Sequence, residues 1–358
     1  MKRLKSLSCL CLIWGLLVVL TGCPQISDKA ENPKPLGKMY FTYFDTVSNI
    51  YCYSGDSADV FDSRTEMVST MLWEYHQLFD IYHEYSGIKN LCTLNKNAGG
   101  EPLEVDQKLI DFLLYAKELY TLTSGKMNVM MGAVLRPWHD CRTEAADDPA
   151  NARIPEASVL EEAKNHIGID LLQIDDENNT VRITDPKASI DVGALGKGYA
   201  TEKAAQALKN AGATGYVLNI GGNIRIIGTK PDGSGWLTGV KDPATPDSSF
   251  SAYLTISNTS CVTSGSYERF FTVNGKRYHH IIDGDTAMPA EYFPAVTVIT
   301  ENSGLADALS TALFCMSQED GALLVESLDG VEALWVMHDG EVRMSAGMNQ
   351  LITERKLR

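Results

Sequence analysis

The sequence predicts an α+β fold, on three observations. Helix-period apolar stripes occupy much of the first half, strand-length runs dominate residues 215–283, and Asn274-Gly275 joins two aromatic-rich runs as a tight hairpin. Helices and mostly antiparallel strands gathered in separate stretches argue against a doubly wound sheet, in which they alternate. Residues 41–51 alternate as a first strand. Residues 59–84 read as one long helix with Val60, Met67, Leu72, Tyr75 and Phe79 on a stripe, and 106–121 as a second with Leu109, Phe112, Leu113 and Ala116. The acidic, alanine-rich segment 143–155 bears two prolines and reads as a surface loop, before a short helix at 158–167. Residues 181–184 and 189–192 read as short strands, and 197–210 as a helix stopped by Gly212. Strands follow at 215–229, 236–240 and 250–256, then the hairpin, a strand at 295–300, and a helix from Gly304 with Ser303 as its N-cap. A helix at 318–328 and a hairpin of 331–337 and 341–345 over Asp339-Gly340 close the chain.

The first 22 residues carry Lys2, Arg3 and Lys5 ahead of an apolar run from Leu7 to Leu20, the composition of a signal peptide. The run ends in Leu20-Thr21-Gly22-Cys23, a bacterial lipoprotein box, so Cys23 is expected to be acylated and residues 23–38 to form a polar tether. The protein is then expected outside the cytoplasm on a lipid anchor, with residues 39–350 as its body. Loss of the three leader cations moves the formal charge from −15 to −18, which argues against nucleic acid as a partner. Of eight cysteines, Cys52, Cys92, Cys141, Cys261 and Cys315 remain in the body, an odd number without C-x-x-C spacing. Unpaired, buried thiols are expected rather than a disulfide framework or zinc site.

Three segments carry chemistry. In 189–200 the glycines Gly193, Gly196 and Gly198 open a helix beside Asp191 and Lys197, an arrangement suited to an anion at a helix N-terminus or to a tight strand-to-helix connection. It is not a Walker A loop, because Asp191 stands five residues before Gly196 and Gly198 follows the lysine. Near the C-terminus Asp307 and Thr311 lie four apart on one face of an apolar helix. Their oxygens suit Mg²⁺, although an Asp favoured by the helix dipole and a Thr bonded back to a carbonyl fit the same spacing. The hairpin delivers His279, His280 and Asp283 to one strand end, as ligands, acid–base groups or strand residues.

Together these segments resemble the ApbE family of FAD:protein FMN transferases, from about Phe41 to about Gly347. Asp191–Ala200 matches its D-x-G-[GA]-x-x-K-G-Y-A run, Asn219–Ile224 its N-x-G-G-[DN]-I, Thr263–Arg269 its T-S-G-x-Y-E-R, His279–Asp283 its H-H-I-[IL]-D, and Ala306–Phe314 its A-D-A-L-[AS]-T-A-L-F. The resemblance implies a single catalytic domain of two lobes. It also implies Mg²⁺-dependent transfer of FMN from FAD to a Thr or Ser hydroxyl of an acceptor protein, with release of AMP. Acceptors would be flavoprotein subunits of membrane redox complexes or extracytoplasmic reductases.

Carried over position by position, the resemblance makes Asp307, Thr311 and the Ala194 carbonyl ligands of Mg²⁺, and Asp191 and Lys197 contacts of FAD. It adds Phe44, Tyr82 and Ile282 as FAD contacts, with Lys126, Met127 and Asn128 binding through their loop. There the family's G-x-F-D becomes Gly125-Lys126-Met127-Asn128, so a carboxylate is an amide here. After Asp283 the usual P-R-T-G becomes Gly284-Asp285-Thr286-Ala287. His280 and Asp283 are the two candidates for the base acting on the acceptor hydroxyl. An FAD pyrophosphatase giving FMN and AMP, or a non-catalytic FAD-binding lipoprotein, would use the same residues.

Overall fold

The computed structural model describes residues 34–355, so the expected leader, Cys23 and most of the expected tether lie outside the described residues. An eight-stranded antiparallel sheet forms the centre, in the order Leu36–Tyr40, Ser48–Cys52, Tyr216–Ile220, Asn223–Ile227, Ser260–Gly265, Ala295–Thr300, Glu332–Val336 and Val342–Met344. Helices α1 (Ala58–Phe79), α2 (Leu91–Lys96), α3 (Gln107–Leu122), α4 (Gly132–Asp147), α5 (Ala157–Ala163), α6 (Gly196–Asn210), α7 (Ser303–Phe314) and α8 (Gln318–Glu326) surround it. The α+β expectation holds.

Both faces of the central sheet are covered. Val262, Val296, Val298, Ala333 and Trp335 join the α6/α7 core, while Cys261, Ala295, Ile299, Leu334 and Val336 meet a three-stranded sheet of Trp236–Lys241, Phe250–Ile256 and Ile352–Arg355. Residues 295–300 are therefore buried throughout rather than alternating. A third cluster clamps Val134, Trp138 and Cys141 of α4 onto Phe271 and Ile282, and Trp138 Nε1 donates to the Ala287 carbonyl at 2.9 Å. Cys52, Cys92, Cys141, Cys261 and Cys315 are all free and buried, as expected.

Several expected elements differ. The expected tether ends early, because Leu36–Tyr40 pairs with Ser48–Cys52; an edge strand is held by backbone bonds, which five residues of sequence do not reveal. Residues 41–47 are accordingly a turn rather than part of one strand, with Phe44 and Asp45 at φ +53° and +49°. The long helix stops at Phe79, because Asp80 Oδ1 accepts the N–H groups of Tyr82 (2.7 Å) and His83 (3.0 Å) and turns the chain. Helix α4 runs to Asp147, into the expected loop: Pro137 removes one helical bond, but Val134, Trp138, Cys141 and Ala145 keep a buried stripe. Residues 189–192 are extended yet join no sheet beyond a single bridge from Ser189 to Met131. Asn302, not Ser303, caps α7, its side chain accepting from the Leu305 N–H.

Candidate active site

A cleft of about 1150 Å³ opens between the helical layer, α4 and the 270–279 hairpin. One wall is the meeting of α6 and α7. Gly198, in the first turn of α6, lies so close to α7 that a Cβ would meet Asp307 Cβ and the Ser303 carbonyl, each at 2.4 Å. That approach lets the Gly198 N–H donate to Asp307 Oδ2 at 2.8 Å. In an uninterrupted helix this N–H would return to the carbonyl four residues back, that of Ala194. The Ala194 carbonyl is thus left free of it, on the cleft wall with Asp307 and Thr311. Burial pushes the Asp307 carboxyl above the ordinary range, against the pull of the Lys197 ammonium, 4.0 Å away, and the Gly198 N–H.

The donor set here is one carboxylate, one hydroxyl and one carbonyl, and among the described residues no three His, Cys, Asp or Glu side chains gather as ligands. Hard oxygen donors of this kind fit Mg²⁺ and do not fit zinc. The buried Oδ1 atoms of Asn49 and Asn223, both in the cleft lining, have no partner, so the wall has acceptor oxygens to spare for a hydrated cation.

Lys197 Nζ donates to the Gly193 carbonyl at 3.2 Å, and Asp191 Oδ1 accepts the Gly193 N–H at 2.9 Å, so the turn holds its own two charged groups at the cleft. Burial raises the Asp191 carboxyl. Phe44 is fixed in its left-handed conformation by its N–H, which donates to His76 Nδ1 at 3.2 Å. Tyr82 is half-exposed at the rim, its ring 5.7 Å from that of His139 on α4. Ile282 lines the floor.

His280 lines the cleft. Its Nδ1 lies 3.2 Å from the Arg269 carbonyl, which can only accept, so Nδ1 carries the proton and Nε2 keeps its lone pair. Burial, with the Arg269 and His279 charges, drives its pKa down to about 3, and the ring is neutral at pH 7. His279 is structural: Nε2 donates to the Ala290 carbonyl (2.9 Å) and Nδ1 accepts the Ile281 N–H (3.2 Å).

Two expected site residues stand outside the cleft lining, and a third borders it with its side chain engaged. Asp283 is buried outside the cleft lining, where Oδ1 accepts from Lys126 Nζ (3.1 Å) and the Asp285 N–H (3.1 Å); the loop folds the carboxylate inward. Met127 is a fully buried core residue, as expected for an apolar side chain flanked by Lys126 and Asn128 in a loop that must anchor. Asn128 borders the cleft, but its amide is committed to the Ile167 carbonyl and the Met130 N–H. Lys126 reaches the cleft while bridging Asp283 and Asp285 (2.8 Å). Residues that sequence reasoning passed over are Asn49, His139, Arg142, Asn223 and Arg269. Asn223 and Arg269 lie inside motif runs, whereas Arg142 belongs to none.

The sequence profile described as the ApbE family matches residues 44–335. The chain belongs to the ApbE family. Among curated relatives, the ApbE-family chain is 29% identical over 317 residues to the FAD:protein FMN transferase of Treponema pallidum, covering 85% of each. It is 28% identical over 312 residues to that of Vibrio cholerae, covering 87% of this chain and 88% of the relative. The crystal structure of the ApbE protein from Thermotoga maritima superposes with a TM-score of 0.78 at 31% identity, over 90% of this chain and 100% of that one. The flavin transferase ApbE from Vibrio cholerae shares the fold, with a TM-score of 0.73 at 23% identity, over 89% of this chain and 99% of that one.

Proposed function

We propose that this ApbE-family enzyme is an FAD:protein FMN transferase that moves FMN from FAD to a Thr or Ser hydroxyl of an acceptor protein and releases AMP. One observation carries the reading: Lys197 and the start of α6 meet Asp307 and Thr311 of α7 at a single cleft wall, through the 2.8 Å Gly198–Asp307 bond. Phosphoryl transfer needs positioning and charge neutralisation more than covalent chemistry by the protein. Lys197 and the positive dipole end of α6 would bind the diphosphate. Asp307, Thr311 and the Ala194 carbonyl would hold Mg²⁺, which when bound neutralises diphosphate charge and polarises its oxygens. His280 Nε2 is free to accept the proton of the acceptor hydroxyl as its oxygen bonds to the FMN phosphorus and the bond to AMP breaks. An anion bound beside the ring raises its pKa toward the working range. Asp283 serves as the buried partner of Lys126 rather than as the base. Phe44, Tyr82 and Ile282 offer apolar and aromatic surface to the flavin nucleotide.

The leader and Cys23 support anchoring by lipid outside the cytoplasm, with acceptors among flavoprotein subunits of membrane redox complexes or extracytoplasmic reductases. The test is incubation of the detergent-solubilised protein with FAD, Mg²⁺ and a candidate acceptor domain, followed by mass spectrometry and AMP chromatography. An FMN adduct with AMP, abolished by chelator, is the expected result. AMP and free FMN with no adduct on any Thr- or Ser-bearing acceptor would replace transfer by hydrolysis, and no AMP at all would leave a flavin-binding lipoprotein.

A further inference from the structure

The protein carries a formal charge of −15, yet the two arginine side chains without partners among the described residues both line the cleft. Every other arginine with a described side chain is engaged. Arg64, Arg136, Arg153, Arg225 and Arg343 pair with carboxylates, Arg182 donates to the Gly100 carbonyl, and Arg277 lies over the Phe270 ring at 4.6 Å. The side chains of Arg142 and Arg269 make no hydrogen bond, ion pair or ring contact among the described residues. Arg142 is half-buried in the α4 wall, one turn beyond His139, and the exposed Arg269 lines the same cleft, its own carbonyl tied to His280.

A guanidinium withdrawn from water without a partner is costly, and a second cation beside it adds repulsion. Burial and the Arg269 charge both weaken the protonated form of Arg142. The nearby carboxylates do not pair with it: the Asp191 charge offsets only part of the burial cost while its Oδ1 accepts the Gly193 N–H, and Glu268 is paired with Lys241 at 3.1 Å. Two forked donors that line one cleft from separate elements, near enough to feel each other's charge, match the tetrahedral oxygens of a phosphate.

We propose that Arg142 and Arg269 form an anion subsite beside His280 that clamps a phosphate group of the flavin nucleotide, distinct from the Lys197 end of the cleft. The inference rests on the flavin-nucleotide reading of the cleft. Clamping from this side would hold the phosphorus against the His280 ring while the Lys197 end holds the rest of the diphosphate. It would also place positive charge where the transferred phosphoryl oxygens lie.

The test compares binding of FMN, riboflavin and inorganic pyrophosphate by calorimetry for the detergent-solubilised full chain and its Arg142→Gln and Arg269→Gln variants. Both side chains touch solvent, so the variants are expected to melt with the parent. Each substitution should weaken FMN about tenfold and leave riboflavin unchanged, as expected for one charged hydrogen-bonding group lost from a phosphate contact. Unchanged FMN affinity, with only the acceptor KM raised, would assign the arginines to an acidic stretch of the acceptor and overturn the proposal. If the parent bound neither flavin, the proposed function would fall instead. The subsite would then stand only if pyrophosphate bound the parent and weakened in both variants, and would fall if it did not.

Discussion

Replacing Gly198 with alanine tests the junction on which the site is built. The new methyl would stand 2.4 Å from both Asp307 Cβ and the Ser303 carbonyl, and neither is the loose end of a flexible side chain. Overpacking of a rigid contact costs about 1–3 kcal/mol. If α7 moves away to relieve it, the 2.8 Å bond from the Gly198 N–H to Asp307 is lost, a charge-assisted bond worth about 1.5–3 kcal/mol. Against this, alanine in a helix gains about 1 kcal/mol over glycine. The loss dominates, by about 0.5–2 kcal/mol. At about 2 °C per kcal/mol for a large domain, Tm should fall by about 1–4 °C. Turnover should fall further than stability explains at temperatures where the variant is folded, because Asp307 and Thr311 move with α7. Differential scanning calorimetry with FAD turnover below the transition reads both. A variant that melts at or above the parent with full activity would show that helix propensity outweighs the contact, and the close approach would carry no functional weight.

Other outcomes follow from the same geometry. Lys126→Met leaves the buried Asp283 carboxylate without its cation and should cost about 3 kcal/mol; the double change with Asp283→Asn should recover most of it, and urea midpoints that stay low in the double variant would deny the pairing. His280→Gln should slow transfer at saturating FAD by about a hundredfold or more with Tm within a degree or two, and undiminished transfer would remove His280 as base. Asp307→Ala should abolish turnover and the calorimetric Mn²⁺ signal together, and retained Mn²⁺ binding would place the cation elsewhere. His166 is raised above its usual pKa chiefly by its bond to Asp185 (2.6 Å), so its contribution is full below the unfolded value and fades as pH rises through the folded one. The stability gap between parent and His166→Gln should therefore be wider at about pH 5.5 than at about pH 8.5, and an equal gap in urea titrations would contradict the assignment.

Elements whose pattern is local were legible in the sequence. The Asn274-Gly275 hairpin formed with both residues at positive φ, α6 stopped at Gly212, and α3 began after Asp106, whose side chain accepts the Lys108 N–H. Asp307 and Thr311 share a face because four residues nearly complete a helical turn, and Lys197 stands at a helix start because glycines open it. These follow from covalent geometry and side-chain chemistry, which the order of residues fixes.

What only the tertiary structure decided depends on contacts between distant segments. Asp80 ended α1 by turning back on its own following N–H groups, and α4 persisted through Pro137 because its buried stripe had a partner surface in the 270–279 hairpin. Asp283 looked like a site residue by position in a motif. Folding turned it to Lys126, which is 157 residues away in the chain, and sank the Met127 side chain in the core, leaving that loop only its backbone to offer. Arg142 carried no sequence signal at all, because being an unpaired cation is a property of surroundings, not of residue type. The motifs determined the chemistry available to this chain, and packing between α6, α7, α4 and the hairpin decided which groups face the cleft, since burial and pairing are set by neighbours the sequence does not adjoin.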